Sequence, residues 1–305
     1  MPSPRFAITA MSAITQPPPA EPLLAQLQEL AVTVTDLREI PVPKALASKR
    51  AVCTAFVDGV DDPECLRGQL EFAAEGYQSD WVLQDLSIRH ADYKLAVFDM
   101  DSTLIQCEVI DRLAELAGVG DAVAAITEQA MRGELDFKAS FRARMAMLAG
   151  LQESALAEVA QSLPITDGMP ELIATLRARG VYTAILSGGF DYFARHLQAS
   201  YGFDEVHANA LTIVDGQVTG QPTDSIVDGE RKRELAESIA LKLGIGANQV
   251  IAVGDGANDL AMLDFAGLGV AFEAKPVVRA QAAHNIRHVG LDGVLYLLGP
   301  ASERQ

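Results

Sequence analysis

The segment LAVFDMDST, residues 95–103, constrains the fold of this chain more than any other. It is an apolar, β-rich run that ends in two aspartates, Asp99 and Asp101, separated by one residue. Such a run is typical of a strand that is buried on both faces in a parallel sheet. Because open α/β sheets keep their chemistry at the carboxyl ends of the strands, both carboxylates are expected at a functional site.

The spacing of the two aspartates suits phosphoryl transfer. Asp99 could attack a phosphorus atom, while Asp101 could protonate the leaving oxygen and later deprotonate the water that clears the aspartyl phosphate. Paired carboxylates also favour a divalent cation, and hard oxygen ligands indicate Mg²⁺ rather than zinc. The alternative is an ordinary Asp-rich turn, since Asp and Ser are common turn residues.

Charge and composition restrict the partners of the chain. The 305 residues include 24 Lys and Arg against 41 Asp and Glu, a formal net charge of −17, which argues against nucleic acid or an anionic membrane. An anionic substrate would therefore need local Lys and Arg residues. No apolar run reaches the ~18 residues that span a bilayer. Three cysteines without metal-ligand spacing favour a reducing cytoplasm.

The predicted elements divide the chain into three parts. Residues 1–20 are Pro-rich near their end and lack an apolar signal core, so we expect a disordered leader. Residues 21–90 predict a small α+β domain, and residues 91–299 an α/β domain with a Rossmann-like, mostly parallel sheet. At about 104–165 helix formers replace strand patterns, which predicts an inserted helical cap that excludes water from the site.

Two further clusters predict phosphate contacts. In the SGGF segment, the hydroxyl of Ser187 and the N–H of Gly188 stand at a strand end, where they can hold phosphate oxygens. Lys232, near a helix start, could balance the charge of a phosphorylated aspartate. Its neighbours Arg231 and Arg233 compete for that role, and a plain βα turn and a solvated lysine are the alternatives.

The GDGANDL block supplies a second group of acids. Asp255 follows the apolar strand VIAV and is placed to complete a Mg²⁺ shell. Asp259, one turn into the helix, could hold Lys232 or a metal-bound water, and Asn258 could reach the substrate. A calcium loop is the rival interpretation, but its D-x-D-x-D-G ladder with a distal Glu is absent from the sequence.

In this order the four clusters resemble the haloacid dehalogenase (HAD) superfamily of phosphohydrolases, whose signature is DxDxT, a Ser/Thr loop, a Lys and GDxxxD. The resemblance implies a HAD fold in which Asp99 is the nucleophile and Asp101 the general acid/base. It also implies metal binding by Asp99, Asp255 and the backbone carbonyl of Asp101, and phosphoryl contacts from Ser187, Gly188 and Lys232.

Within the superfamily, residues 92–290 resemble the phosphoserine phosphatase family more closely. The motif DxDSTL followed by Glu matches DMDSTLIQCE, and the lid pattern MxGxxxFxxSxxxRxxLL matches MRGELDFKASFRARMAML except at Met147. The resemblance implies O-phospho-L-serine as substrate, Mg²⁺ as cofactor and the last step of serine biosynthesis.

The same resemblance implies how the amino-acid part of that substrate is held. Glu108 would bind the ammonium group, and the planar guanidinium of Arg144 would bind the carboxylate. Met131 and Phe137 would form apolar walls. The family also commonly carries an ACT-like regulatory module, so the N-terminal domain is a candidate for serine binding or homodimer formation.

Two other functions share these motifs. A phosphotransferase that passes the phosphoryl group to another alcohol, such as homoserine, would use nearly the same residues. A phosphoaspartate receiver also pairs its Asp with a Lys and a hydroxyl residue. It needs a long-lived phosphoaspartate, however, and both Asp101 and the cap argue against that.

Overall fold

The computed structural model describes residues 5–14, 18–132, 134–222 and 226–299, with the exception of the Met131 side chain. The strands are β1 (Phe6–Ala13), β2 (Thr33–Glu39), β3 (Arg50–Asp58), β4 (Ser79–Asp85), β5 (Leu95–Phe98), β6 (Tyr182–Phe190), β7 (Glu205–Asn209), β8 (Ile213–Val214), β9 (Gln217–Val218), β10 (Val250–Gly254), β11 (Leu268–Phe272) and β12 (His284–Ile286).

The α-helices are α1 (Ala20–Glu29), α2 (Pro63–Glu75), α3 (Leu86–Arg89), α4 (Val109–Leu116), α5 (Gly120–Met131), α6 (Phe137–Ala146), α7 (Glu153–Gln161), α8 (Met169–Ala178), α9 (Asp191–Tyr201), α10 (Gly229–Leu243), α11 (Leu260–Phe265), α12 (Pro276–Arg279) and α13 (Gly293–Tyr296). Short 3₁₀ turns lie at Ala247–Gln249 and Ala257–Asp259. Within the described ranges, no helix combines the length and the apolar character that crossing a lipid bilayer requires.

The N-terminal sheet is antiparallel, with strand order β2-β3-β1-β4, and the succession βαββαβ is the ferredoxin-like arrangement. One face of this sheet, which includes Phe6, Ile8 and Ala10, packs under α1 and α2. The opposite face, through Met11, shares an apolar cluster with the larger domain. The predicted small α+β unit therefore begins with β1 rather than at residue 21.

The expectation of a disordered leader over residues 1–20 is wrong for the part that the structure describes. Phe6–Ala13 form a central strand that pairs with β3 on one side and β4 on the other. A central strand is stabilised by partners distant in the chain, which a local reading of prolines and missing acids does not reveal. Residues 1–4 and 15–17 lie outside the described residues.

The larger domain contains six strands in the order β12-β11-β10-β5-β6-β7, all parallel. This confirms the predicted Rossmann-like sheet. Alternate residues of β5 enter two different cores, Ala96 and Phe98 on one face and Leu95 and Val97 on the other. The edge strand β7 was not predicted. The segment IRHV at 286–289 predicts the last strand of the sheet, but it overlaps β12 only at Ile286.

The predicted cap corresponds to α4–α7, which separate β5 from β6. The segment ALTIVDGQVTG, residues 210–220, predicts a hairpin that turns at Asp215 and Gly216. The hairpin forms as β8–β9, and both turn residues have positive φ, as a two-residue hairpin turn requires. Its Gly216 carbonyl accepts a hydrogen bond from Glu153 N at 2.9 Å, so the hairpin supports the start of α7 in the cap.

Buried polar contacts join the two domains. Arg50 on β3 pairs with Asp292 at 3.0 Å and with Asp167 at 2.6 Å, and Asp292 is completely buried. Asp80 on β4 accepts backbone hydrogen bonds from Arg287, His288 and Val289. The carboxylates on both sides of the interface therefore depend on partners from the other domain.

Replacing Arg50 with Ala should lower the free energy of unfolding by about 3–5 kcal/mol, because Asp292 would keep a buried charge without its cation. Urea denaturation followed by circular dichroism measures the loss. The control is Arg233→Ala, which breaks only an exposed pair with Glu237 and should cost less than about 1 kcal/mol. Equal losses in the two variants would contradict this account of the interface.

Candidate active site

The predicted polar clusters meet at the carboxyl edge of the central sheet. Asp99 follows β5, Ser187 lies in β6 and Asp255 follows β10, and these three strands are neighbours. They open into a cavity of about 730 Å³ that the cap helices cover. The predicted site residues that line it are Asp99, Asp101, Glu108, Phe137, Arg144, Ser187, Gly188, Asp255 and Asn258.

Two predicted residues, Lys232 and Asp259, are completely buried beneath Asp99. Lys232 Nζ donates to Asp99 Oδ1 at 2.6 Å and to Asp259 Oδ1 at 2.7 Å. Asp259 Oδ2 accepts from the backbone N–H of Gly256 at 2.9 Å. Both oxygens of Asp259 are therefore engaged, which suits a residue that orients the lysine.

Local structure explains why Lys232, rather than its arginine neighbours, reaches the aspartates. The side chain of Asp228 caps the N-terminus of α10 by accepting from Arg231 N at 2.9 Å. Arg231 and Arg233 then lie on the exposed face and pair with acids of their own helix. The competition left open by the sequence is thus settled by helix register.

The turn after β10 needs glycine. A Cβ on Gly254 would stand 2.4 Å from the carboxyl carbon of Asp259, so any side chain at this position would displace the acid that holds Lys232. The glycines of the GDGANDL block therefore permit a close approach of backbone and carboxylate.

Burial and mutual repulsion shape the acidity of the site. Burial, together with the negative charges of Asp259 and Asp255, raises the pKa of Asp99 to about 8, although Lys232 opposes this. Burial also raises the pKa of Asp101 well above its usual range. The pKa of Asp255 rises to about 6, mainly through burial and through the charge of Asp259. Asp101 thus favours the protonated form, while Asp99 needs additional positive charge to ionise.

Lys232 supplies only part of that charge. Burial alone would lower its pKa, but Asp259 and Asp99 more than compensate, so the pKa of Lys232 is raised and the ammonium stays charged. One lysine among several buried carboxylates leaves an excess of negative charge.

The acids fit a hard metal ion. Carboxylate oxygens of Asp99, Asp255 and Asp259 lie within 4.8 Å of one another. Because both oxygens of Asp259 already have partners, Asp99 and Asp255 are the carboxylates with capacity for a metal. Thr103 Oγ1 donates to Asp255 Oδ1 at 3.3 Å and leaves its other oxygen available. An all-oxygen donor set of this kind suits Mg²⁺ or a similar cation.

The cap contributes the opposite wall. Glu108 accepts a hydrogen bond from Ser102 Oγ at 3.0 Å. Arg144 is half-buried, its Nε has no hydrogen-bond partner, and no described carboxylate forms an ion pair with it. Burial lowers the pKa of this guanidinium. A charged group placed in this way is available to an anionic ligand.

Of the two predicted apolar walls, Phe137 and Met131, the structure describes the side chain of Phe137. Phe137 lies over residues 187–190 at the end of β6, the predicted phosphate loop, with its Cζ 3.1 Å from the position that a Cβ on Gly188 would take. Gly188 thus allows the cap and the loop to approach closely. The other predicted wall, the side chain of Met131, lies outside the described residues.

The structure adds residues that the sequence analysis did not single out. Asn209, at the end of β7, donates from Nδ2 to the carbonyl of Gly188 and accepts at Oδ1 from the N–H of Val227, both at 2.8 Å. Lys138 on α6 pairs with Asp228 at 2.8 Å and ties the cap to the start of α10. Asn209 belongs to the unpredicted edge strand, so no local pattern indicated its role.

Replacing Asn209 with Leu should weaken binding of inorganic phosphate about tenfold and destabilise the fold by about 2–4 kcal/mol, because a buried N–H and the loop carbonyl lose their partners. Calorimetric titration and urea denaturation measure the two effects. Gln161→Leu, which removes an exposed amide from the cap helix α7, is the control and should change neither. Unaltered phosphate binding in Asn209→Leu would refute the positioning role.

Comparisons with known proteins agree with this geometry. The sequence model of the haloacid dehalogenase-like hydrolases matches residues 96–264. A phosphoserine phosphatase from Vibrio cholerae serotype O1 is 46% identical over 207 residues, which are 68% of this chain and 63% of that protein. The chain thus spans less than two thirds of the length of this curated relative.

Two solved structures extend the comparison. A HAD family hydrolase from Salmonella enterica serovar Typhi superposes with a TM-score of 0.85 at 32% identity, covering 97% of this chain and 99% of the other. A phospho-aspartyl intermediate analogue of a phosphoserine phosphatase gives a TM-score of 0.64 at 38% identity, covering 68% of this chain and all of that one. The first similarity includes the N-terminal domain.

Proposed function

Because the chain belongs to the haloacid dehalogenase-like hydrolases and, within them, to the phosphoserine phosphatase family, we propose that it hydrolyses O-phospho-L-serine to L-serine and inorganic phosphate. One observation carries the proposal. The unpaired guanidinium of Arg144 and the carboxylate of Glu108 line the same cavity as Asp99. An anion site, a cation site and a phosphoryl site in one cavity match the three charged groups of phosphoserine.

In this mechanism, Asp99 Oδ attacks phosphorus, and the bond from phosphorus to the seryl oxygen breaks. Asp101 gives its proton to that oxygen, so serine leaves as an alcohol. Asp101 then takes a proton from water, whose oxygen attacks the phosphorus of the aspartyl phosphate. The bond from phosphorus to Asp99 Oδ breaks, so inorganic phosphate leaves and the Asp99 carboxylate is restored. The raised pKa of Asp101 supports its first role, since the proton must be present at neutral pH.

The buried lysine and the phosphate loop stabilise the transferring group. Ser187, Gly188 and Lys232 would hold the equatorial phosphoryl oxygens, and Asp259 would keep the lysine oriented. Asn258 lines the cavity and is available to the substrate. Phe137 and the other cap residues limit access of water.

HAD phosphatases use a metal ion, and we propose that it is Mg²⁺ here, bound by Asp99, Asp255 and the backbone carbonyl of Asp101. When bound, such an ion supplies positive charge that offsets phosphate and carboxylate repulsion. The raised pKa of Asp99 supports this requirement, because ionisation of the nucleophile among buried acids needs a further cation.

Purified protein should release phosphate from O-phospho-L-serine far faster than from sugar phosphates or nucleotides, and chelation of Mg²⁺ should abolish the release. A colorimetric phosphate assay across that panel measures the preference. Turnover of the panel but not of phosphoserine would refute the substrate while keeping the chemistry. Repeating the assay with added homoserine, and analysing the products, tests transfer to an alcohol.

Asp99→Asn should reduce turnover by a factor on the order of 10⁴ or more while leaving the fold intact, because the amide cannot serve as the nucleophile. Steady-state kinetics and circular dichroism measure both properties. Asp264→Asn, an exposed carboxylate on α11, is the matched control and should retain normal activity. Near-normal turnover of Asp99→Asn would end the aspartyl-phosphate mechanism.

Three expectations from the sequence stay predictions. They are cytoplasmic location, homodimer formation through the N-terminal domain, and serine binding by that ACT-like unit. The boundaries of the α/β domain at 91–299 and of its cap at about 104–165 also stay predictions. The ferredoxin-like topology of the N-terminal sheet is compatible with an ACT-like module.

A further inference from the structure

Around the candidate active site lie buried polar atoms that have no partner. Among the described residues, Asp101 Oδ1, Ser140 Oγ and Arg144 Nε are buried atoms that lack a hydrogen bond, and all three residues line the same cavity. Folded proteins pair nearly all such atoms, because leaving one unpaired is costly. Unpaired atoms gathered around one cavity indicate bonds that a ligand completes.

The proposed function already uses Asp101 and Arg144, but it leaves Ser140 without a role. Ser140 is only 2% exposed and lies on α6, one helical turn before Arg144. Residues four apart on a helix lie on the same face, so the hydroxyl and the guanidinium are neighbours.

The position of Ser140 is well supported. Asp136 caps the N-terminus of α6 by accepting a hydrogen bond from Ala139 N at 2.7 Å. Lys138 pairs with Asp228, which lies outside the cap in the larger domain. Phe141, the next residue, packs in the main apolar core. The hydroxyl is therefore held beside Arg144 before any ligand arrives.

The other hydroxyls that line this cavity already have partners. Thr127 Oγ1 donates to the carbonyl of Val123 at 3.1 Å, inside its own helix. Ser187 Oγ accepts from the N–H of Gly189 at 2.9 Å. The O–H of Ser187 stays free to donate, but it belongs to the proposed phosphoryl site. Among the described cavity-lining residues, Ser140 thus has the hydroxyl that no internal bond and no other part of the proposed function employs.

We propose that Ser140 is a specificity-determining residue whose hydroxyl donates to the substrate carboxylate beside Arg144. The inference rests on the proposed function and deepens it. The phosphoryl group belongs at the sheet edge with Asp99 and Ser187, and the ammonium group belongs with Glu108. The carboxylate, with two acceptor oxygens, is the part of the ligand that matches two donors on consecutive turns of α6.

The charges of the cavity make a second donor useful. Glu108 and Asp111 are acids whose charges act on Arg144, and they also repel an incoming carboxylate. A neutral hydroxyl adds a hydrogen bond without adding a charge that would repel the ammonium group of the same substrate. Ser140 thereby discriminates between phosphorylated amino acids and phosphorylated amines.

The test compares two substrates that differ only in the carboxylate, O-phospho-L-serine and O-phosphoethanolamine. Ser140→Ala should raise the KM for phosphoserine about tenfold, since hydrogen bonds to charged groups are among the stronger ones. The constant for phosphoethanolamine, measured as turnover or as competitive inhibition, should stay within about twofold. Thr127→Val, which removes a hydroxyl that is already paired, should leave the ratio of the two constants unchanged.

The stability of the variant separates a role in binding from a purely structural one. If the hydroxyl of Ser140 serves the ligand, the melting temperature of unliganded Ser140→Ala should hold or rise, because alanine favours helices more than serine and removes an unpaired buried hydroxyl. Equal effects on both substrates, or no effect on either, would overturn the role of Ser140 while leaving the proposed function intact. Failure of the unmodified protein to hydrolyse phosphoserine would overturn both proposals.

Discussion

The buried contact of Lys232 with Asp99 and Asp259 is the interaction on which the site depends. It places an ammonium group with no exposed surface between two carboxylates at the centre of the parallel sheet. A buried charge is tolerated only where partners and hydrogen bonds compensate its lost hydration. The ammonium group is kept in place by the N-cap residue Asp228 of α10, by the glycines of the turn after β10 and by the packing of α10.

Even with this contact, the site keeps an excess of negative charge. Four acids, Asp99, Asp101, Asp255 and Asp259, face one buried lysine, and burial raises the pKa values of Asp99, Asp101 and Asp255. An arrangement of this kind loses stability in isolation and gains it when a cation or a positively charged group binds. Arg144 on the cap is the complementary case, because it is a cation that lacks an anionic partner among the described residues. Substrate and metal together would satisfy both deficits.

The sheet edge and the cap carry different groups of site residues. In the proposed function, the sheet edge carries the residues for phosphoryl chemistry, whereas the cap carries the groups that distinguish one phosphate ester from another. The N-terminal domain reaches this region through Arg50, which binds Asp167 in the loop that ends the cap. That loop contacts the segment after Asp99 and Asp101, where Thr166 N donates to the carbonyl of Leu104 at 3.1 Å. The interdomain contacts therefore also support the backbone near the site.

Much of the site could be predicted from the sequence, because its polar residues lie in short segments of the chain. A buried strand followed by Asp99 and Asp101, and a second strand followed by Asp255 and Asp259, can be recognised locally, since strand periodicity and turn residues act over a few positions. The parallel sheet and the helical cap follow from the same patterns.

Tertiary structure decided what depends on distant partners. Strand β1 is stable because β3 and β4 flank it, although its segment was expected to be disordered. Asn209 and Ser140 matter because folding leaves one fully bonded beside the phosphate loop and the other unpaired in the cavity, and a sequence pattern carries no record of which hydrogen bonds are made.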